Sequence, residues 1–291
     1  MPNIDLQVLK EPSMPQGEAD VLDTLAKALN SSDDSAVVAV NLEDELRQLI
    51  ASSKSTKAAD TLLWNLWVML FEVVRIVPIE HPWHAALAAG MNNLRSRGGL
   101  VVELEDCTLN WADLPDLSMY VFDKWFDPTE LDDYTSEDID AWKRWNSFAS
   151  QLLNEEYMNW IIFPYWELRS ALEFPPPEDP TIFECRLWVA TQWLTQCAEL
   201  VYNEMTCGVD LEEKTKSAIK PGPLCEGVYP RSLQRWEFWR GRLEALAGEK
   251  GLGKETDSGD GGAGRTIPSA SLSRIQQAIN TMDVASNNAR V

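Results

Sequence analysis

The chain has 291 residues, with 25 Lys and Arg against 46 Asp and Glu, a formal net charge of −21. Apolar residues make up 45% and charged residues 24%. That balance belongs to a globular protein. It is too acidic for general nucleic-acid binding and too apolar for a mostly disordered chain. The five cysteines are odd in number, widely spaced and without a Cys-x-x-Cys pair, which speaks against a secreted disulfide framework. Residues 1–16 lack a basic segment followed by an apolar one, so no export signal is expected. The longest apolar stretch near the middle, Leu66 to Phe71, is far short of the roughly 20 residues a membrane span needs. The expectation is an intracellular protein, cytoplasmic or nuclear and not secreted, with reduced thiols.

Taken in chain order, the apolar spacing predicts helices. Val21, Leu22, Leu25 and Leu29 share one stripe, and Asn30 to Ser35 interrupts it. Asn41 is expected to cap a second helix carrying Leu42, Leu46, Leu49 and Ile50. From Lys57 to Val77, Leu63, Leu66, Trp67, Leu70, Val73 and Val74 recur at spacings of three and four. Trp64, Met69 and Phe71 widen this stripe, predicting a helix buried on most sides and stopped by Pro78. Pro82 suits the first turn of the next helix, which ends at Gly98-Gly99. Val101 to Leu104 reads as extended, without an evident partner strand. Pro115 begins a helix with Leu117, Tyr120, Val121 and Trp125. Thr135 and Asp138 resemble a capping box with Asp in place of Glu, ahead of Ile139, Trp142, Trp145, Ala149 and Leu152. Tyr157 to Leu172 reads as helix, with a kink or break expected at Pro164. A long helix runs from Asp179-Pro180 to Gly208, and a last body helix from Ser232 to Ala247. Residues 248–270 hold seven glycines and read as a flexible linker. Leu272, Ile275, Ile279 and Met282 then mark a short amphipathic helix.

Three stretches together resemble a known family. They are LLWNLWVMLFEVVRIVPIEHPWHAAL (62–87), the LPDL segment (114–117) with its aromatic helix, and SLQRWEFWRGRLEAL (232–246). The combination is similar to a fungal family of all-helical proteins known only as a domain of unknown function. The resemblance covers roughly residues 60–246 and rests most on Trp64, Trp67, Pro78, His81, Pro82, Arg235, Trp236, Phe238 and Trp239. It implies a helical fold and carries no catalytic residue across.

Several constellations invite chemistry. His81 and His84 are the two histidines, and a spacing of three on a helix can bring two imidazoles to one metal. The alternative is a capping His81 with a packed or exposed His84. The acidic zone from Glu103 to Asp140 holds thirteen carboxylates against Lys124 alone, a net −12. Asp132-Asp133 followed by Asn146-x-x-x-Ser150 approaches the metal-binding pattern of class I terpene cyclases. Asn154 stands where that pattern needs Glu, and Glu155 lies about 100° round a helix from it. The zone then reads as a solvated acidic surface or as a docking patch for a basic partner, with Asp127, Glu130, Asp132, Asp133, Glu137 and Asp138 as its interaction residues. The tryptophan pairs Trp64/Trp67, Trp142/Trp145 and Trp236/Trp239 each share a helical face. They form a packed core, an aromatic-walled ligand pocket, or both. Gly259, Gly261 and Gly264 match G-x-G-x-x-G, but inside the linker rather than between a strand and a helix.

The sequence therefore predicts an all-α protein with a single compact domain of about eight helices over residues 19–247. A flexible lead-in (1–18) precedes it. A Gly-rich linker (248–270) and a short helix or disordered tail (271–291) follow. The expected function is non-enzymatic, through protein contacts or an apolar Trp-lined pocket. The rival is a small-molecule enzyme or ligand carrier in fungal specialised metabolism. No catalytic residue, cofactor, metal requirement or nucleic-acid partner is expected, apart from His81 and His84 as metal candidates. A protein partner would meet the acidic face or the C-terminal helix, where Leu272, Ile275, Ile279 and Met282 supply the contact.

Overall fold

Helix ends follow the capping chemistry of the sequence. In the computed structural model, α3 (Thr56–Ile76) begins where the Ser55 hydroxyl accepts the Ala58 N–H at 3.2 Å, and it ends before Pro78. The structure describes residues 4–53, 55–96, 101–103, 108–155, 157, 160–248 and 267–288. Among these are eleven α-helices and one two-stranded hairpin, so the class is all-α. They divide into two compact units, Met1–Leu152 and Leu153–Val291, where a single domain of about eight helices was expected.

The first unit contains α1 (Gln16–Leu29), α2 (Ser35–Ala51), α3, α4 (Pro82–Ser96), β1 (Val101–Glu103), β2 (Thr108–Asn110), α5 (Leu117–Lys124) and α6 (Ser136–Leu152). Its core is built on α3, whose Leu66, Trp67, Leu70, Phe71, Val73 and Val74 are fully buried. Helices α1, α5 and α6 pack around it, and α2 packs on α4. The α2–α4 approach depends on Gly90. A Cβ there would lie 2.7 Å from Leu42 Cδ2 and 3.3 Å from the Ala39 carbonyl oxygen. The lead-in carries a 3-10 turn at Leu6–Leu9, with Leu6 buried.

Helix α2 starts seven residues earlier than expected. Asp34, in extended conformation, accepts the Ala36 N–H at 2.8 Å and caps it there. Asn41 lies inside the helix and reaches back to Ser31 Oγ. The predicted strand also has a partner, since Val101 pairs with Asn110 and Glu103 with Thr108 in an antiparallel hairpin. The capping box at α6 forms with Asp as its acid. The Thr135 N–H and hydroxyl donate to Asp138 Oδ2 at 2.9 and 2.6 Å, and the Asp138 N–H returns to Thr135 Oγ1 at 3.2 Å.

The second unit contains α7 (Ile162–Leu172), α8 (Pro180–Thr206), α9 (Glu213–Ala218), α10 (Leu233–Gly248) and α11 (Ser269–Asn288). The helix expected from Tyr157 starts only at Ile162, two residues ahead of Pro164. Pro164 therefore occupies the first turn, where its missing N–H costs no bond. Helix α9 escapes the periodicity because none of its side chains is buried. The core joins Phe163 and Leu168 of α7, Val189, Trp193, Leu194 and Cys197 of α8, and Trp236, Trp239 and Leu243 of α10. The expected linker motif at Gly259–Gly264 lies outside the described residues. Beyond it, α11 is longer than the predicted 272–282 and packs on α8 and α10.

Candidate functional site

The acidic zone of the first unit is assembled by α5, a 3-10 turn at Pro128–Glu130 and the first turn of α6. Its entry is a tight turn. Leu114 (φ 42°) and Asp116 (φ 62°) both have left-handed backbones, on either side of Pro115. Such residues each cost about 1–3 kcal/mol and persist only where neighbours hold them. Here the Trp67 indole N–H donates to the Pro115 carbonyl at 2.6 Å. Burial, and then the charge of Asp60, push the Asp116 carboxyl above its ordinary range.

Helix α5 has apolar side chains on both faces. Leu117, Tyr120 and Val121 are buried, whereas Met119 is 60% and Phe122 41% exposed. Phe126 (54%) and Leu131 (47%) continue the exposed set past the helix end. Beside them lies a groove of about 180 Å³, lined by Phe126, Pro128, Trp142 and Trp145 with Arg75, Lys124 and Asp138 among its polar walls. Edge-on aromatic contacts fix its floor: Trp125 on Trp142 with centroids 4.9 Å apart, and Phe71 on Trp145 at 5.0 Å. The Trp145 indole N–H donates to the Phe71 carbonyl at 3.1 Å.

The predicted acidic residues between Asp127 and Asp138 have divided duties. Asp127 caps the 3-10 turn through the Thr129 N–H at 2.8 Å. Glu137 pairs with Arg144 at 2.9 Å. Asp138 caps α6, and its hydrogen bonds from Thr135 hold its carboxyl below the usual range. Glu130, Asp132 and Asp133 are exposed and make no side-chain hydrogen bond or ion pair among the described residues.

The other predicted residues fall elsewhere. Trp67, Trp142, Trp236 and Trp239 are buried core residues, while Trp64 is 37% exposed. Leu272 is half-buried; Ile275, Ile279 and Met282 are buried, so the stripe of α11 faces inward rather than offering a free contact. His81 caps α4, its Nδ1 accepting the Trp83 N–H at 3.3 Å. His84 is buried. Its Nε2 meets the Arg144 carbonyl at 3.2 Å and its Nδ1 meets Gln151 Nε2 at 3.4 Å. Both ring nitrogens are thus engaged by neutral groups, and burial pulls the His84 pKa below its ordinary 6.5. Among the described residues, no group of three or more His, Cys, Asp or Glu is placed to hold a metal ion. The partial cyclase pattern dissolves as well. Asn146 and Ser150 are buried and bond to carbonyls within α6, at Trp142 and Ser147.

One buried constellation lay beyond sequence reasoning. Glu173, at the end of α7, is fully buried and accepts four N–H groups: Arg235 Nε (2.6 Å) and Nη2 (3.1 Å), the Trp239 indole (2.6 Å) and the Gly222 backbone (2.6 Å). Arg235 also donates to the Ile219 and Pro230 carbonyls, and it lies over the Tyr165 and Trp239 rings. Burial, reinforced by Glu173, raises the neighbouring Cys225 thiol to about 11. The Glu173 and Arg235 side chains are fully buried and paired, so the cluster ties the 219–230 loop to α7 and α10.

No helix among the described residues is long and apolar enough to cross a membrane. No curated protein and no solved structure matches the chain. A family model described as a protein of unknown function (DUF3632) matches residues 67–243. That match covers more than half of the sequence, so the chain belongs to the DUF3632 family.

Proposed function

We propose that this protein is a non-enzymatic binding module whose acidic, aromatic-studded face receives a basic amphipathic segment of a partner protein. One observation carries the reading. Met119, Phe122, Phe126 and Leu131 are exposed among the unpartnered carboxylates Glu130, Asp132 and Asp133, beside a groove floored by two tryptophans. A merely solvated acidic surface has no use for exposed aromatic rings, which cost solubility. Together, an apolar anchor site and surrounding charge suit a partner that supplies both apolar and cationic groups. The charge speeds encounter, and the aromatic contacts set the residence time.

The test uses a fluorescein-labelled amphipathic helix of Lys and Leu as probe. Phe126→Ser and the double substitution Asp132→Asn/Asp133→Asn should each weaken it about tenfold, with a steep salt dependence lost only in the second. If Phe126→Ser leaves affinity unchanged, the face is only acidic and the proposal fails. The pocket reading has one supporting observation, a cavity of about 480 Å³ between the Asn30–Ser35 loop and His81, Pro82 and Trp83. A ligand screen that quenches Trp83 emission would favour that reading instead.

A further inference from the structure

Within the second unit, α11 is seated by residues that the family match contains, although α11 is not among them. The match ends at residue 243, within α10. Helices α8 and α10 nevertheless present a seat that α11 fills with Ile275, Ala278, Ile279, Met282 and Ala285. The buried stripe is reinforced by polar latches at both ends. Toward the start, the Arg274 guanidinium lies 4.2 Å over the Trp188 ring and donates to the Trp188 carbonyl (3.3 Å), Gln192 Oε1 (3.1 Å) and Thr191 Oγ1 (3.3 Å). Toward the end, Arg240 of α10 pairs with Asp283 at 2.7 and 3.3 Å, and the Trp236 indole N–H donates to Ser286 Oγ at 3.1 Å.

This is the pattern of a helix laid in a groove, with apolar anchors one and two turns apart. Arg274 is half-buried against neutral acceptors only. The connecting residues 249–266 include six glycines. Eighteen residues can span up to roughly 60 Å, so chain length does not force α11 into this seat.

We infer that the α8–α10 face is a helix-docking groove, which α11 occupies as its resident ligand and which accepts in trans an amphipathic helix of the same chemistry. That chemistry is a cation directly before an apolar stripe spaced as Ile275, Ile279 and Met282, with an acid directly after it. The covalent connection gives α11 a high effective concentration, so a partner helix competes against the resident one. This inference stands apart from the acidic face, which lies in the other unit.

The experiment places a protease recognition sequence within residues 249–266 of the full chain, cuts it after folding, and adds fluorescein-labelled peptide 267–288. Native mass spectrometry and anisotropy should show the cut α11 segment retained at first, then exchanged for the labelled peptide. The uncut chain should bind the same peptide at least ~100-fold more weakly, because the resident helix holds the seat. Arg274→Ala in the peptide should weaken its binding about tenfold. Three results overturn the inference: the segment stays until the unit unfolds in denaturant, it leaves and the peptide fails to bind, or cutting alone unfolds the unit.

Discussion

Replacing Glu173 by Gln isolates the electrostatics of the buried cluster, since shape and volume barely change. Each carboxylate oxygen accepts two N–H groups: Oε1 from Arg235 Nε and the Trp239 indole, Oε2 from Arg235 Nη2 and Gly222. An amide keeps one oxygen and puts an NH2 in place of the other. Whichever way it turns, two donors then face a donor, and Arg235 loses its counter-charge with no water to replace it. Breaking one side of a buried pair costs roughly 3–5 kcal/mol, and the orphaned donors add to that side of the range. The expected loss is about 4 kcal/mol in the second unit. Urea unfolding followed by near-UV circular dichroism gives the size. Hydrogen exchange places it, with protection falling in α7, α8 and α10 and holding in α3. The double substitution Glu173→Leu/Arg235→Leu should cost at least ~2 kcal/mol less than the sum of its single changes, because neither charge is stranded. A Glu173→Gln protein within 1 kcal/mol of the parent, or strict additivity in the cycle, would refute the reasoning.

Further outcomes follow from single contacts. Gly222→Ala should destabilise the second unit by about 2 kcal/mol in the same assay, because its Cβ would stand 2.8 Å from the Glu173 carbonyl oxygen and 2.9 Å from its Cβ. His84 is held neutral, with its folded pKa below 6.5. Below pH 6.5 the unfolded chain therefore takes up the proton first, so the first unit loses stability as pH falls through that window and keeps it in full above. Ring NMR of His84 should show a titration midpoint below 6.5, and a midpoint at or above 6.5 would contradict the packing. Asp116→Asn should stabilise the first unit by up to about 1 kcal/mol in thermal unfolding. Asn takes the left-handed backbone more readily, and the change removes a carboxylate that burial and Asp60 both oppose.

What the sequence disclosed, and what it withheld, divides along the physics of burial. Repeating apolar residues report which face of a helix leaves water, so α3 was readable from Leu63 to Val77 and α8 from Phe183 to Met205. Local hydrogen bonding was readable too: the Thr135–Asp138 cap needs only a three-residue spacing and two short polar side chains. The start of α2 went astray because Asp34 and Asn41 offer the same capping chemistry, and only the tertiary position of Val38 and Ala39 selects the earlier one. Helix α9 left no trace, since a helix that buries nothing has no stripe.

The Glu173–Arg235 pair was hidden by a separation of 62 residues. Arg235 stands beside Trp236 in the sequence, and no local pattern says that a glutamate at one helix end will meet it. The exposed set on α5 was hidden for the opposite reason. Met119, Phe122 and Phe126 fall at spacings of three and four, the same periodicity that marks a core stripe. Leu117, Tyr120 and Val121 compete for that role on the other face. A short helix with two apolar faces can bury only one of them in its own unit. Which face loses is decided by the neighbour it packs on, here α3, and the face that loses is left exposed.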